Sequence, residues 1–135
     1  GFRGPEGVAM DIKTASIFVA DQGEALAFYT NILGFRKIND IDLGEFRWLT
    51  VSSDGSGETE LLLEPNVHPA AKAFQAAIYA DGIPATVFHC DDIHDEFRRL
   101  SEQGVSFREL PTENGGVWLA TFDDGCGNWI QLVQQ

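Results

Sequence analysis

The chain repeats itself once, loosely, at an offset of about 70 residues, and self-similarity of this kind narrows the available folds more than any other feature. Trp48-Leu-Thr-Val-Ser-Ser-Asp-Gly55 matches Trp118-Leu-Ala-Thr-Phe-Asp-Asp-Gly125. Around that anchor Asp21 pairs with Asp92, Gly34-Phe35 with Gly104-Val105, and the segment at Glu60 with the segment at Gln131, while Phe28-Tyr29 lies near the register of Phe97-Arg98. A chain of 135 residues with 44% hydrophobic content can bury one core but not two independent ones. The two copies must therefore share it.

Within the first copy, residues 12–20 carry β-branched and aromatic side chains and end at Asp21, an N-cap type. They predict a strand. The following Ala25, Phe28, Tyr29, Ile32 and Leu33 recur at helical spacing and stop at Gly34, which predicts a capped amphipathic helix. Three short strands are then expected at 35–40, 45–52 and 59–64, with turn residues between them. The unit reads βαβββ. The second copy predicts a strand over 83–90, a helix over 91–103 capped by Asp92, and strands near 105–110, 116–122 and 128–134. Between the copies, His68-Pro69 opens a run of strong helix formers that predicts an ordered linker helix, packed over a sheet or against a second subunit.

A formal charge of −12, with 21 acidic against 9 basic residues and no basic cluster, argues against nucleic acid and anionic membranes as partners. It favours cationic or uncharged small molecules. Cys90 and Cys126 lie far apart without a CxxC motif, so no disulfide framework is expected. No apolar run reaches the length of a membrane span and no signal peptide is recognisable, which leaves a cytoplasmic location as the expectation. Residues 1–9 lack periodicity and precede Met10; they are expected to be a vector remnant or a disordered lead, outside the fold.

Val19-Ala-Asp21, Ala25-Leu-Ala-Phe-Tyr29, Leu33-Gly-Phe35 and the closing Asp123-Asp-Gly-Cys-Gly-Asn128-Trp-Ile-Gln-Leu132 together resemble the vicinal oxygen chelate superfamily of glyoxalases, extradiol dioxygenases and bleomycin-resistance proteins. The resemblance spans residues 11–134. It implies an α+β fold in which two βαβββ modules form a U-shaped mixed sheet around a cavity, with the helices outside. Residues 10–135 then make one domain: module one at 11–65, a linker helix at 66–82 and module two at 83–134. The family also implies a homodimer.

Metal-dependent members place one ligand on each of the first, fourth, fifth and eighth strands. The corresponding positions here hold Thr14, Glu60, Ala85 and Gln131, too few good donors for a catalytic divalent ion. No metal and no cofactor are expected. Strand alternation points Thr14, Ser16 and Phe18, then Glu60 and Glu64, then His89, and finally Trp129 and Gln131 inward. A site built from His89, Glu60 and Glu64 can be drawn from this parity, against the simpler reading of His89 as a strand-end histidine. His68 reads as a helix cap and His94 as a solvated first-turn residue. Cys126 lacks a neighbouring base, and Asp91-Asp92 and Asp123-Asp124 read as cap and turn. Trp48 and Trp118, at matching points of the repeat, would join Trp129 around a flat or cationic ligand, or else pack the core.

Two functions follow from these residues. The first is a metal-independent small-molecule-binding protein of the bleomycin-resistance type, using Thr14, Ser16, Phe18, Trp48, Glu60, Glu64, His89, Trp118, Trp129 and Gln131. The second is a glyoxalase-like lyase or dioxygenase-like enzyme with a non-standard site and Glu60 as catalytic base.

Overall fold

A computed structural model describes residues 9–55 and 57–135. The expected leader at 1–9 lies outside them apart from Ala9. The elements run β1 (Thr14–Val19), α1 (Gln22–Ala27) continuing into a π-helical turn (Phe28–Ile32), β2 (Arg36–Asp42), β3 (Arg47–Ser52), β4 (Glu60–Pro65), α2 (Pro69–Ala80), β5 (Pro84–His89), α3 (Ile93–Glu102), β6 (Phe107–Asn114), β7 (Val117–Asp123) and β8 (Trp129–Gln134). Two four-stranded mixed sheets result, ordered β1-β4-β3-β2 and β5-β8-β7-β6. In each, the first strand runs parallel to the last and the other pairings are antiparallel. This is the repeated βαβββ unit of an α+β fold, with neither sheet closed into a barrel.

The helix boundaries follow local chemistry. Asp21 accepts the Glu24 amide at 2.8 Å and Asp92 the Asp95 amide at 3.1 Å, while His68 Nδ1 accepts from the Ala70 amide with Pro69 at N1. Gly34 ends the first helix at φ +88°, a conformation that other residues rarely adopt. One departure is the π-turn: Thr30 Oγ1 bonds back to the Leu26 carbonyl at 2.6 Å and the Leu33 amide reaches Phe28 O, widening the helix. β6 also runs further than the turn residues predict. It passes through Pro111 because it is an edge strand interrupted by two bulges, where a missing N–H is tolerated.

One core holds both modules. Ile17, Val19, Leu49, Val51 and Leu63 from the first sheet join Ala120, Phe122, Ile130 and Leu132 from the second around Ala25, Tyr29, Ile93 and Leu100 of the helices. Ring contacts carry it across the junction: Phe28 meets Phe122 at 6.3 Å, and Phe88 meets Tyr29 at 6.4 Å and Phe35 at 5.4 Å. The edge strands β1 and β5 lie along this junction without pairing to each other, so clefts open beside them. α2 differs from the other helices. Its Tyr79 stacks on Trp129, opposite the face that Ile130 and Leu132 bury, so α2 covers the side expected to face the cavity.

Candidate functional site

Strand register sets the inward residues side by side. Thr14 pairs with Glu60, Ser16 with Leu62 and Phe18 with Glu64, all on the face opposite Ile17 and Leu63. Glu60 is only 7% exposed and is already engaged: its Oε1 accepts from Thr50 Oγ1 at 2.7 Å and Asn39 Nδ2 at 2.9 Å, and Lys13 Nζ stands 3.9 Å from Oε2. Those donors favour a fixed carboxylate. Glu64 lies four residues along the strand, about 13 Å away. His89 is exposed at the end of β5, beside a cleft with Cys90 and Glu96, and does not join either glutamate. Among the described residues, no three His, Cys, Asp or Glu side chains converge in a way that would hold a metal ion.

In the second sheet Val87 pairs with Gln131 and His89 with Val133, so Gln131 sits beside Val87 rather than Ala85. Trp129 takes the inward side, but its ring is not open. Tyr79 stacks on it at 4.8 Å with 6° between planes, Tyr79 O accepts the indole N–H at 2.9 Å, and the Arg108 guanidinium sits 5.5 Å from the ring centre. Tyr79 Oη in turn donates to Asp123 Oδ2 at 2.6 Å, and that bond pushes the phenol's pKa up to about 12.

The matching tryptophans are not equivalent in space. Thr50 pairs with Leu62, which pairs with Ser16; Thr121 pairs with Gln131, which pairs with Val87. Thr50 therefore corresponds to Thr121 rather than Ala120, and a one-residue slip moves a side chain to the opposite face. Trp48 shares the inward face with Thr50 and is 37% exposed. Trp118 instead packs edge-on against His94 of α3 at 4.6 Å, which removes it from the expected ligand-binding group and gives His94 a partner.

A network that sequence reasoning missed lies between the modules. Asp124, fully buried, accepts the Cys126 and Asn128 amides through Oδ1 and Tyr29 Oη and Asn128 Nδ2 through Oδ2. Burial raises its pKa despite these four donors, and raises that of Tyr29 well above 10.0. Gln75 of α2 donates to Phe18 O and Asn128 Oδ1 and accepts from Asn66 Nδ2 at 2.6 Å. The Asp-x-x-x-Asn turn, which leads into β8, is thus tied to β1, to the π-helical turn after α1 and to α2. Gly127 must be glycine: at φ +97° a Cβ there would stand 2.9 Å from Gln75 Nε2. Cys126 is buried beside acidic groups, and its thiol is pushed up to about 12, which makes it inert rather than nucleophilic. An uncharged amide in an Ala-rich helix was the available sign for Gln75.

Between β1, β4, α2 and the start of β5 a cleft of about 480 Å³ opens, with Ser16, Phe18 and Glu64 on one wall and Phe74, Gln75 and Ile78 on the other. Its size suits a small organic molecule.

The profile of the Glyoxalase/Bleomycin resistance protein/Dioxygenase superfamily matches residues 11–132. The chain belongs to that superfamily. It is 55% identical over 127 residues to the uncharacterized protein YurT of Bacillus subtilis (strain 168), covering 93% of this chain and all of that one. Among solved structures it is similar to UcmS2, at 32% identity and TM-score 0.82, covering 95% of this chain and all of that one. It is also similar to TnmS3, an antibiotic binding protein from Streptomyces sp. CB03234, at 28% identity and TM-score 0.75, covering 94% and 98%. Among the described residues no helix is long and apolar enough to cross a membrane.

Proposed function

We propose that this protein binds a small organic molecule without a metal, in the manner of the bleomycin-resistance branch of its superfamily, with a preference for flat or cationic ligands. The carrying observation is the donor set at the family's metal position. Thr14 and Ala85 are not divalent-ion ligands, Gln131 is displaced along its strand, and the one remaining carboxylate, Glu60, already accepts two hydrogen bonds. Both bonds fall on Oε1 and fix the carboxylate, which leaves Oε2, 3.9 Å from Lys13 Nζ, as the oxygen that a base role would need. The name of TnmS3, an antibiotic binding protein, supports the same reading. We further propose that the protein acts as a cytoplasmic homodimer, since open sheet edges and exposed apolar side chains such as Ile41, Leu43 and Phe46 favour self-association.

Two measurements test this reading. Elemental analysis of metal-supplemented, dialysed protein is expected to give far less than one equivalent of zinc, nickel, iron or manganese; a stoichiometric, tightly held ion overturns metal independence. A thermal-shift screen of flat and cationic compounds is expected to find stabilisers, because a ligand at a hundred times its Kd adds about 2.7 kcal/mol. A screen without a single stabiliser counts against binding altogether.

A further inference from the structure

We infer that the cleft under α2 takes an amphiphilic amine, its protonated nitrogen held by Glu64 and its apolar body laid along Phe18, Phe74 and Ile78. This rests on the binding-protein reading and narrows it to one site and one ligand class. The argument is an audit of carboxylates along the junction. Three clefts open there, each with one glutamate on its wall. In one, Glu96 pairs with Arg99 at 2.8 Å. In another, Glu60 is occupied by Thr50 and Asn39. Glu64 alone of these three has no hydrogen-bond or ion-pair partner among the described residues, although it is half-buried against an apolar wall.

A carboxylate withdrawn from water without a partner is unfavourable, and a cation that fills the cleft removes the penalty. The other polar groups narrow the class further. Gln75 and Asn128 spend their amides on each other, on Phe18 O and on Asn66, leaving the Ser16 hydroxyl, on the same face one register step from Glu64, as an acceptor without a partner among the described residues. Two acceptors suit a nitrogen that carries N–H groups, so a primary or secondary amine fits better than a quaternary one. Phe74, 59% exposed on α2, and Ile83, 48% exposed before β5, give the rim apolar surface for the ligand body.

The test uses dansylcadaverine, a flat fluorophore on a pentylammonium arm, and its neutral counterpart N-pentyl dansylamide, each titrated by fluorescence. Wild-type protein is expected to bind the amine about fivefold more tightly than the neutral probe, with the gap narrowing as salt is raised. Glu64→Gln should abolish that preference, while Glu113→Gln, the same charge change at an exposed position of β6, should keep it. Phe74→Ala should weaken both probes alike. Equal affinities in wild type, or a preference that survives Glu64→Gln, overturns this inference and leaves the binding-protein reading standing. Failure of both probes to bind also overturns it; the broader reading falls only if the thermal-shift screen is empty as well.

Discussion

Each tyrosine of the chain gives its hydroxyl hydrogen to an aspartate, Tyr29 to buried Asp124 and Tyr79 to Asp123. Burial is the main cost of ionising Tyr29, with the neighbouring Asp124 second, while for Tyr79 the hydrogen bond to Asp123 leads. Both pKa values are therefore raised, Tyr79 to about 12. For a group whose pKa is raised on folding, the stabilisation is complete below its ordinary value of 10.0 and is lost as pH climbs through the folded value. Spectrophotometric titration of the native protein is thus expected to show no phenolate step near pH 10, with tyrosinate rising near pH 12 or on alkaline unfolding. A step of one tyrosine at pH 10 would mean that the Tyr79–Asp123 bond is absent in solution. At this scale sequence and structure agree on Asp21, Asp92 and His68, because a cap needs only its own helix. They part at Glu60, whose partners Asn39 and Thr50 come from two other strands.

Among the elements, α2 depends on one side chain. Gln75 is buried and bonds Phe18 O, Cys126 O, Asn128 Oδ1 and Asn66 Nδ2 from outside its helix, so Gln75→Ala leaves Asn128 Oδ1 without its Gln75 donor and Asn66 Nδ2 without its Gln75 acceptor. The expected loss is about 1–3 kcal/mol by urea unfolding, with faster amide exchange in α2 than in α3. A loss of a few tenths would mean that water replaces the amide. The β2–β3 hairpin carries a different device. Arg47 grips Asp40 through two nitrogens, at 2.9 and 2.7 Å, and lowers the Asp40 pKa from 3.8 to about 2. A lowered carboxylate stabilises the fold above its ordinary value and ceases to do so as pH falls through the folded one. Carbon-detected NMR should place the Asp40 midpoint near 2 in wild type and higher in Arg47→Met, where Lys37 still favours the carboxylate. The hairpin's existence was legible from Asp42 to Gly44, but the Asp40–Arg47 pairing depends on register, which no local pattern fixes.

For the whole molecule, the proposed homodimer follows from edge strands left without neighbours and from apolar side chains in water, among them Ile41 and Leu43 at about half exposure. Light scattering at micromolar concentration is expected to give twice 14.8 kDa, and a monomer there contradicts the proposal. Asp40→Lys is not a suitable disruptor, since it also breaks the Arg47 grip; Leu43→Glu is, because Leu43 lies in the turn between β2 and β3 and is 52% exposed. The expected outcome is a shift toward monomer with the fold retained.

The sequence by itself determined the repeated βαβββ order and the helix caps, since alternation, helical spacing and capping are properties of neighbours along the chain, while the α+β arrangement of the sheets came from what the family resemblance implies. The closing Asp-x-x-x-Asn segment was visible too, though only as a motif. Tertiary structure decided what that motif does, joining Phe18, Tyr29 and Gln75 across gaps of 53 to 110 residues. It also decided which face each tryptophan takes. Trp48 and Trp118 look alike in an ungapped repeat, yet a single residue of register sends one to the open side and the other under α3. The same holds for the acids: Glu60 and Glu64 share strand and parity, and only the side chains brought in from β2 and β3 engage the first and leave the second facing a cleft.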